Sequence, residues 1–190
     1  SLAQLNSIQA NALNYLWNAP KATKEDQAYI IYAIGRLADS DLNAAFSTAR
    51  RAAEGLPEDA QKAVYRAVAY VGGTTVMKNN FNREVLDFYD ASYGLPLSPE
   101  EAEIYARQAI RFNGWNSLLR AIEGMSVTQR QEDRWQYWLA RAYEQQTDSK
   151  SKKAAQDIYR QLSVGDDYHN LLAKDRIGQA YNNIPAYSEA

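Results

Sequence analysis

The sequence predicts an all-α protein, more specifically an irregular α-superhelix, also called an α-solenoid. Apolar residues recur three and four positions apart along most of the chain, as they do on one face of a helix. No segment shows the sustained apolar–polar alternation of a half-buried strand. Short runs of Gly, Pro, Asn, Asp and Ser interrupt the pattern often enough to predict about ten helices of ordinary length.

Three stretches with helical apolar spacing occupy the first part of the chain. Their apolar positions are Leu5, Ile8, Ala12 and Leu16, then Ile30, Ala33, Ile34 and Leu37, then Ala60, Val64, Ala67 and Val71. Turn-forming residues follow at Pro20, at Ser40-Asp41, at residues 55–57 and at the Gly72-Gly73 pair. We therefore predict that helices end at these points.

The segment LSPEEA contains the clearest helix start. Ser98 is a good N-cap residue, and Pro99 suits the first helical position. Glu101 stands where a capping box needs it, and Leu97 is placed to pack against Ala102. We therefore predict that a helix begins at Pro99. Further breaks are expected at Asn113-Gly114, Gly124, residues 147–149 and Gly165.

Small residues in similar surroundings recur at intervals of about 33–37 residues, close to the period of tetratricopeptide repeats. They are Gly35, Ala69, Ala106, Ala140 and Ala173. A small residue at this position lets the second helix of a hairpin approach the first closely. LARAY followed by AAQDIY fits this scheme, with Ala140, Tyr143, Ala155 and Tyr159 at the contact. We therefore predict tetratricopeptide-like helical hairpins within a single domain that spans residues 1–190.

The composition is that of a globular protein that folds in water. Hydrophobic residues make up 46% of the 190 residues, the mean hydropathy is -0.57 and the net charge is -2. This charge gives no general attraction for nucleic acid, and no apolar run reaches the length of a membrane span. The chain has no cysteine and a single histidine, His169, so we expect neither a metal site nor a cofactor.

The segment RWQYWLARAYEQ contains the most informative aromatic cluster. On a helix, Trp135 and Trp138 fall on one broad face, which we interpret as core. Arg134, Tyr137 and Arg141 fall on the opposite face, where they could stack on and hydrogen-bond a sugar. These three are the candidate substrate-binding residues. The alternative is a solvated face in which Arg141 pairs with Glu144.

No catalytic constellation is evident in the chain. The carboxylates cluster near predicted helix starts, where negative charge complements the helix dipole. His169 is expected on a helix surface. No phosphate-binding loop, dinucleotide fingerprint or nucleophile elbow occurs, so we predict no catalytic residues.

Several segments in order resemble the N-terminal superhelical region of the soluble lytic murein transglycosylases. The strongest is DRWQYWLARAYEQ at residues 133–145, followed at the expected distance by DYHNLLAKDRIGQAY at residues 167–181. Residues 29–46 and residues 105–125 are similar to earlier helix pairs of that region. Together these segments extend over most of the chain from Tyr29 onward.

The chain also departs from that family. His169 and Asn170 stand where the family often has Tyr-Gly, and Lys174 stands where a small residue is common. The family's lysozyme-like catalytic domain carries a Glu-Ser pair and a Met-Gln motif. Here no Glu-Ser dipeptide occurs, and Met77 and Met125 are followed by Lys and Ser. We therefore expect a fragment that ends just before the linker and catalytic domains.

The resemblance implies a periplasmic parent enzyme that cleaves the MurNAc–GlcNAc bond of peptidoglycan. A protonated glutamic acid in its catalytic domain donates to the leaving oxygen, and the 6-hydroxyl of the sugar closes a 1,6-anhydro ring. This chain would be the scaffold that positions the glycan strands, with the linker and catalytic domains and other cell-wall proteins as further partners. The repeat period alone supports an alternative, a tetratricopeptide-like adaptor that binds a protein in its concave groove.

Overall fold

The computed structural model describes residues 1–76 and 81–178, and these residues are built from helices joined by short turns. The helices are α1 (Leu2–Ala10), α2 (Ala12–Trp17), α3 (Lys24–Ser40), α4 (Leu42–Ala53), α5 (Glu58–Val76), α6 (Arg83–Ala91), α7 (Pro99–Arg111), α8 (Trp115–Glu123), α9 (Val127–Arg130), α10 (Asp133–Glu144), α11 (Ser149–Leu162) and α12 (Tyr168–Arg176). Within these two stretches the only β-type pairing is an isolated bridge between Tyr93 and Leu95. The all-α prediction is confirmed.

The chain divides into two compact units, which we call unit 1 (Ser1–Phe112) and unit 2 (Asn113–Ala190). The sequence predicted a single domain over residues 1–190. The boundary between the units falls at the turn expected at Asn113-Gly114. Asn113 has a φ of 55°, in the left-handed region that Asn adopts more easily than most residues.

Unit 1 contains helices α1 to α7. Helix α5 packs against α3, α4 and α6, and α3 also packs against α2 and α4. The buried side chains include most of the apolar positions expected from the sequence, among them Ile30, Ala33, Ile34, Leu37, Ala60 and Val64. Helix spacing in the sequence therefore identified the core side of these helices.

Local hydrogen bonds explain several helix boundaries. Ser98 accepts a hydrogen bond of 3.1 Å from the backbone N–H of Glu101, and the predicted capping box begins α7 at Pro99. The first predicted helix is instead split into α1 and α2 at Asn11. The side chain of Asn11 accepts a hydrogen bond of 3.0 Å from the backbone N–H of Asn14, which starts a new helix.

The prediction that a helix ends at Gly72-Gly73 is wrong, because α5 continues through both glycines to Val76. A Cβ atom on Gly73 would lie 2.6 Å from Cγ2 of Ile104, and one on Gly72 would lie 2.9 Å from Cγ2 of Val85. These glycines therefore allow other helices to pack closely on α5. The Gly72-Gly73 pair thus marks a place where other helices pack closely on α5, and not the helix end that its turn preference predicts.

Of the repeated small residues, Ala69, Ala106, Ala140 and Ala173 are fully buried. Gly35 differs, because nothing lies within 4 Å of the position where its Cβ would stand. The small-residue contact expected at Gly35 is therefore not formed.

Unit 2 contains helices α8 to α12. Helix α10 packs against α8, α11 and α12, and its pairing with α11 gives the predicted hairpin. Its core cluster is Tyr137, Ala140, Ala155, Tyr159, Leu162 and Ala173, with Trp138, Tyr143, Ile158, Leu172 and Ile177 packed against it. The family-like segment at residues 167–181 continues beyond the described residues after residue 178.

Candidate functional site

The candidate site lies around Arg141 on α10 of unit 2. Its guanidinium carbon lies 5.5 Å from the ring centre of Trp115, 5.6 Å from that of Trp138 and 5.9 Å from that of Tyr137. Nη1 of Arg141 also donates a hydrogen bond of 3.1 Å to the hydroxyl oxygen of Tyr137. We call these four residues the arginine–aromatic cluster. Contacts with aromatic rings stabilise a cation and fix the guanidinium plane.

The sequence placed Tyr137 on the polar face of α10, and this placement is wrong. Tyr137 is 3% exposed and belongs to the core cluster of unit 2. The reason is that α8, α11 and α12 all pack on α10, so this helix has more than one buried side. Tyr137 therefore contacts Arg141 from within the core of unit 2 and does not present its ring to solvent.

The two tryptophans of the WQYW segment behave differently from each other. Trp135 is 2% exposed, which confirms its prediction as a core residue. Trp138 is half-buried, packs against the core cluster and meets the Tyr137 ring edge-on at 5.3 Å. Neither ring forms an open stacking platform.

Arg134 contacts a different set of groups from Arg141. Its Nε atom donates to Glu132 at 2.9 Å, and its guanidinium carbon lies 4.9 Å from the ring centre of Trp135. The structure therefore brings Arg141 and Tyr137 together and leaves Arg134 in a separate cluster on the same helix.

A charged network borders the arginine–aromatic cluster. Glu144 forms the predicted pair with Arg141, at 3.7 Å from its Nε atom, and also pairs with Arg176 on α12. The hydroxyl of Tyr159 donates a hydrogen bond of 3.3 Å to Glu144. Sequence reasoning missed Arg176, because the pairing joins residues far apart in the chain and has no local signal.

Burial and hydrogen bonding shift the pKa values of two groups in this network. It raises the pKa of Tyr159 to about 12, with the negative charge of Glu144 acting in the same direction. Burial lowers the pKa of Arg176, but its hydrogen bonds to Glu144 and Tyr159 outweigh that effect and leave the pKa raised. Arg176 therefore remains a cation beside Glu144.

His169 is half-buried beside the same helices, not fully on the surface as expected. Its ring lies 5.7 Å from that of Tyr137, and burial together with the charge of Arg134 lowers its pKa. Asn170, which sequence reasoning left without a role, is 3% exposed and donates a hydrogen bond of 3.1 Å to Asp133. This bond ties α12 to the start of α10. Across the described residues, no group of three His, Cys, Asp or Glu side chains could hold a metal ion.

A cleft of about 420 Å³ adjoins Trp115 in unit 2. Its lining consists of Asn113, Gly114, Trp115, Asn116, Ser117, Gln145, Gln146 and Thr147. Nε2 of Gln146 donates a hydrogen bond of 3.3 Å to Oδ1 of Asn116. Amide side chains both donate and accept hydrogen bonds, and an indole adds an apolar surface. This combination suits a polar, uncharged ligand such as a sugar. We call it the amide cleft.

Among the described residues, no helix combines the length and the apolar composition that a membrane crossing requires.

No protein-family model matches the chain, and no curated protein matches it. The solved structures that resemble it include two that match over 90% of its length, each at 20% sequence identity. One is the 70-kDa soluble lytic transglycosylase of Escherichia coli, with a TM-score of 0.51. The other is a complex of the 70-kDa soluble lytic transglycosylase with bulgecin A, with a TM-score of 0.50. The chain spans 26% of each of those structures. This likeness identifies the helical fold.

Proposed function

We propose that this chain is the superhelical scaffold of a periplasmic lytic transglycosylase and positions peptidoglycan glycan strands for cleavage. The observation that carries the proposal is the likeness in fold to a soluble lytic transglycosylase over 90% of the chain, within 26% of the larger structure. The ordered family-like segments from Tyr29 onward support the same assignment. The scaffold acts by binding and has no catalytic step of its own.

Glycan contact in unit 2 runs along the amide cleft and Arg141. The amides exchange hydrogen bonds with sugar hydroxyl and acetamido groups, while Trp115 contributes apolar surface. Tyr137 holds the guanidinium of Arg141 through the hydrogen bond between them. Arg134, beside Trp135 on the same helix, provides a second contact.

The linker and catalytic domains of the parent enzyme are the immediate partners of the scaffold, and other cell-wall proteins are further candidates. The catalytic domain supplies the glutamic acid that protonates the glycosidic oxygen, and a 1,6-anhydro end results. The role of this chain is to hold the strand in reach, since orientation by itself lowers the barrier of the step that follows.

Equilibrium binding of the purified chain to soluble, uncross-linked glycan strands tests this proposal. We expect Arg141→Gln to weaken binding by about tenfold, which is about 1.4 kcal/mol. Arg160→Gln is the matched control, because Arg160 is 68% exposed and also pairs with an acidic residue on its own helix. We expect this control to bind like the parent. Absence of strand binding, together with tight binding to a protein partner, would favour the adaptor alternative.

A further inference from the structure

We propose that a cleft in unit 1 binds short acidic peptides, and that its ligand is the peptide stem carried by peptidoglycan strands. This identification of the ligand rests on the function proposed above. The cleft has a volume of about 670 Å³ and is lined by Arg50, Arg51, Glu54, Gln61 and Tyr65. We call it the arginine cleft.

The end of α4 positions the two arginines. Arg50 and Arg51 lie in its last turn, and the chain then turns at Gly55, where φ is 81°. The ammonium group of Lys21 donates hydrogen bonds to the backbone carbonyl oxygens of Arg51 and Glu54, at 3.3 Å and 2.5 Å. Lys21 therefore satisfies carbonyl groups at the end of α4, and the two guanidinium groups are not needed there.

Aromatic rings hold both guanidinium groups in place. The guanidinium carbon of Arg51 lies 3.7 Å from the ring centre of Trp17. That of Arg50 lies 5.4 Å from the ring centre of Phe88 and 5.5 Å from that of Tyr65. Phe88 is itself buried and tilted against Tyr65 at 5.7 Å. Such contacts reduce the entropy that an arginine loses when it binds a ligand.

Arg50 and Arg51 differ from most of the other described arginines in having no acidic partner. Arginines that pair with a carboxylate include Arg66, Arg83, Arg107, Arg134, Arg141, Arg160 and Arg176. Arg50 and Arg51 are both exposed, and among the described residues no carboxylate oxygen lies within 4.0 Å of either. The N–H groups of both guanidinium groups are therefore available to a carboxylate of a ligand. The two oxygens of a carboxylate match the geometry of the planar guanidinium group.

The rest of the lining favours a peptide over an inorganic oxyanion. Glu54 adds a negative charge that opposes a phosphate dianion but accepts a peptide N–H. Nε2 of Gln61 donates to the backbone oxygen of Leu56 at 2.8 Å, which leaves Oε1 of Gln61 to accept a second peptide N–H. The carboxylates of a peptide can accept hydrogen bonds from the two arginines, while its backbone N–H groups donate to the acceptor oxygens of Glu54 and Gln61.

The test compares glycan strands that carry peptide stems with strands from which an amidase has removed the stems. We expect the parent chain to bind the stem-bearing strands about tenfold more tightly, since two charge-assisted contacts are added. The double variant Arg50→Gln/Arg51→Gln should bind both kinds of strand equally. The control Lys152→Gln/Lys153→Gln removes the same charge from two neighbouring exposed residues and should keep the preference.

A second variant tests recognition if the double Gln variant does not fold. Arg50→Lys/Arg51→Lys keeps both charges but loses the planar fork, and we expect it to retain only part of the preference. Inorganic phosphate should compete with the stem-bearing strands far less effectively than the free stem peptide does.

Three results would overturn the inference and leave the proposed function intact. They are equal binding of both kinds of strand by the parent, an unchanged preference in the double Gln variant, and competition by phosphate that equals competition by the stem peptide. Failure of the parent to bind either kind of strand would instead contradict the proposed function, and the inference with it.

Discussion

At the scale of single residues, Trp135 is the largest buried side chain contributed by α10. It is 2% exposed, so replacing it by Ala removes an indole from a packed interior. We expect Trp135→Ala to lower the free energy of unfolding by about 3–5 kcal/mol. Trp138→Ala should cost less, because Trp138 is only half-buried. Chemical denaturation of the variants measures both effects.

Val164→Ala is the control for these substitutions, because Val164 is 85% exposed. Its free energy of unfolding should stay within about 0.5 kcal/mol of that of the parent. If Trp135→Ala unfolded like the parent but lost strand binding, the tryptophan would be a ligand-stacking residue and its assignment to the core would be wrong.

Because of Tyr159, the stability of the protein should depend on pH in the alkaline range. Burial raises its pKa in the folded state to about 12, above the ordinary tyrosine value of 10.0. Between these pH values the unfolded chain loses the proton first, so the folded state binds more protons and stability falls as pH rises. We expect Tyr159→Phe to reduce this fall, measured as the change in unfolding midpoint across that interval.

Direct titration of the tyrosines checks the same prediction. The parent should contain a tyrosine that ionises at about pH 12, and the Tyr159→Phe variant should lack it. Buried Tyr89 also has a raised pKa, so part of the alkaline fall in stability remains in the variant. An identical fall in parent and variant would show that Tyr159 is not protected in the folded protein.

Burial of single residues could be predicted from the sequence where a helix has one buried face, but not where several of its faces are buried. Trp135 was correctly assigned to the core. Tyr137 was placed on the solvent side by helical periodicity alone, whereas α8, α11 and α12 all pack on α10. The contacts between Arg176 and Glu144 and between Asn170 and Asp133 join distant parts of the sequence. No local pattern could have identified them.

At the scale of secondary-structure elements, the glycines of α3 and α5 provide a matched pair. Ala at position 73 would place its Cβ 2.6 Å from Cγ2 of buried Ile104, a branched atom that cannot move away freely. We expect overpacking to destabilise the folded state by about 1–3 kcal/mol. This cost exceeds the stabilisation of about 0.5–1 kcal/mol that Ala gains from its better helix propensity. Gly73→Ala should therefore lower the free energy of unfolding.

Gly35 has open space where the Cβ atom of Ala would stand, so only the better helix propensity of Ala affects stability there. We expect Gly35→Ala to raise the free energy of unfolding by about 0.5–1 kcal/mol. Thermal and chemical unfolding of the two variants should thus change in opposite directions. Equal changes in both would mean that α5 does not pack as closely as described.

The boundaries of elements were predictable where the signal is local. The capping box at Ser98 determines the start of α7 through side chains within one turn, and the sequence contains all of them. The continuation of α5 through Gly72 and Gly73 depends on Ile104 and Val85, which belong to other helices. Tertiary packing there overrides the turn preference of glycine.

At the scale of the whole molecule, periodicity was sufficient for the fold class. Helical spacing over nearly the entire chain predicts helices, and the likeness to solved helical structures agrees with that prediction. The division into two units was not predictable, because it depends on which helices share contacts. The sequence indicated only a turn at Asn113-Gly114. The sugar-binding role of Arg134, Tyr137 and Arg141 stays a prediction, with Tyr137 now placed beneath Arg141.

As a scaffold, this chain is proposed to bind glycan strands and to leave them uncut. The most direct test incubates the purified chain with soluble strands and determines the length and end groups of the strands recovered from the complex. We predict bound strands of unchanged length with no new 1,6-anhydro ends, because no positioned general acid is expected in the chain. Shortened strands with 1,6-anhydro ends, formed in proportion to the amount of repurified chain, would show that the chain cleaves glycan. An absence of bound strands would show that it is not a glycan-binding scaffold.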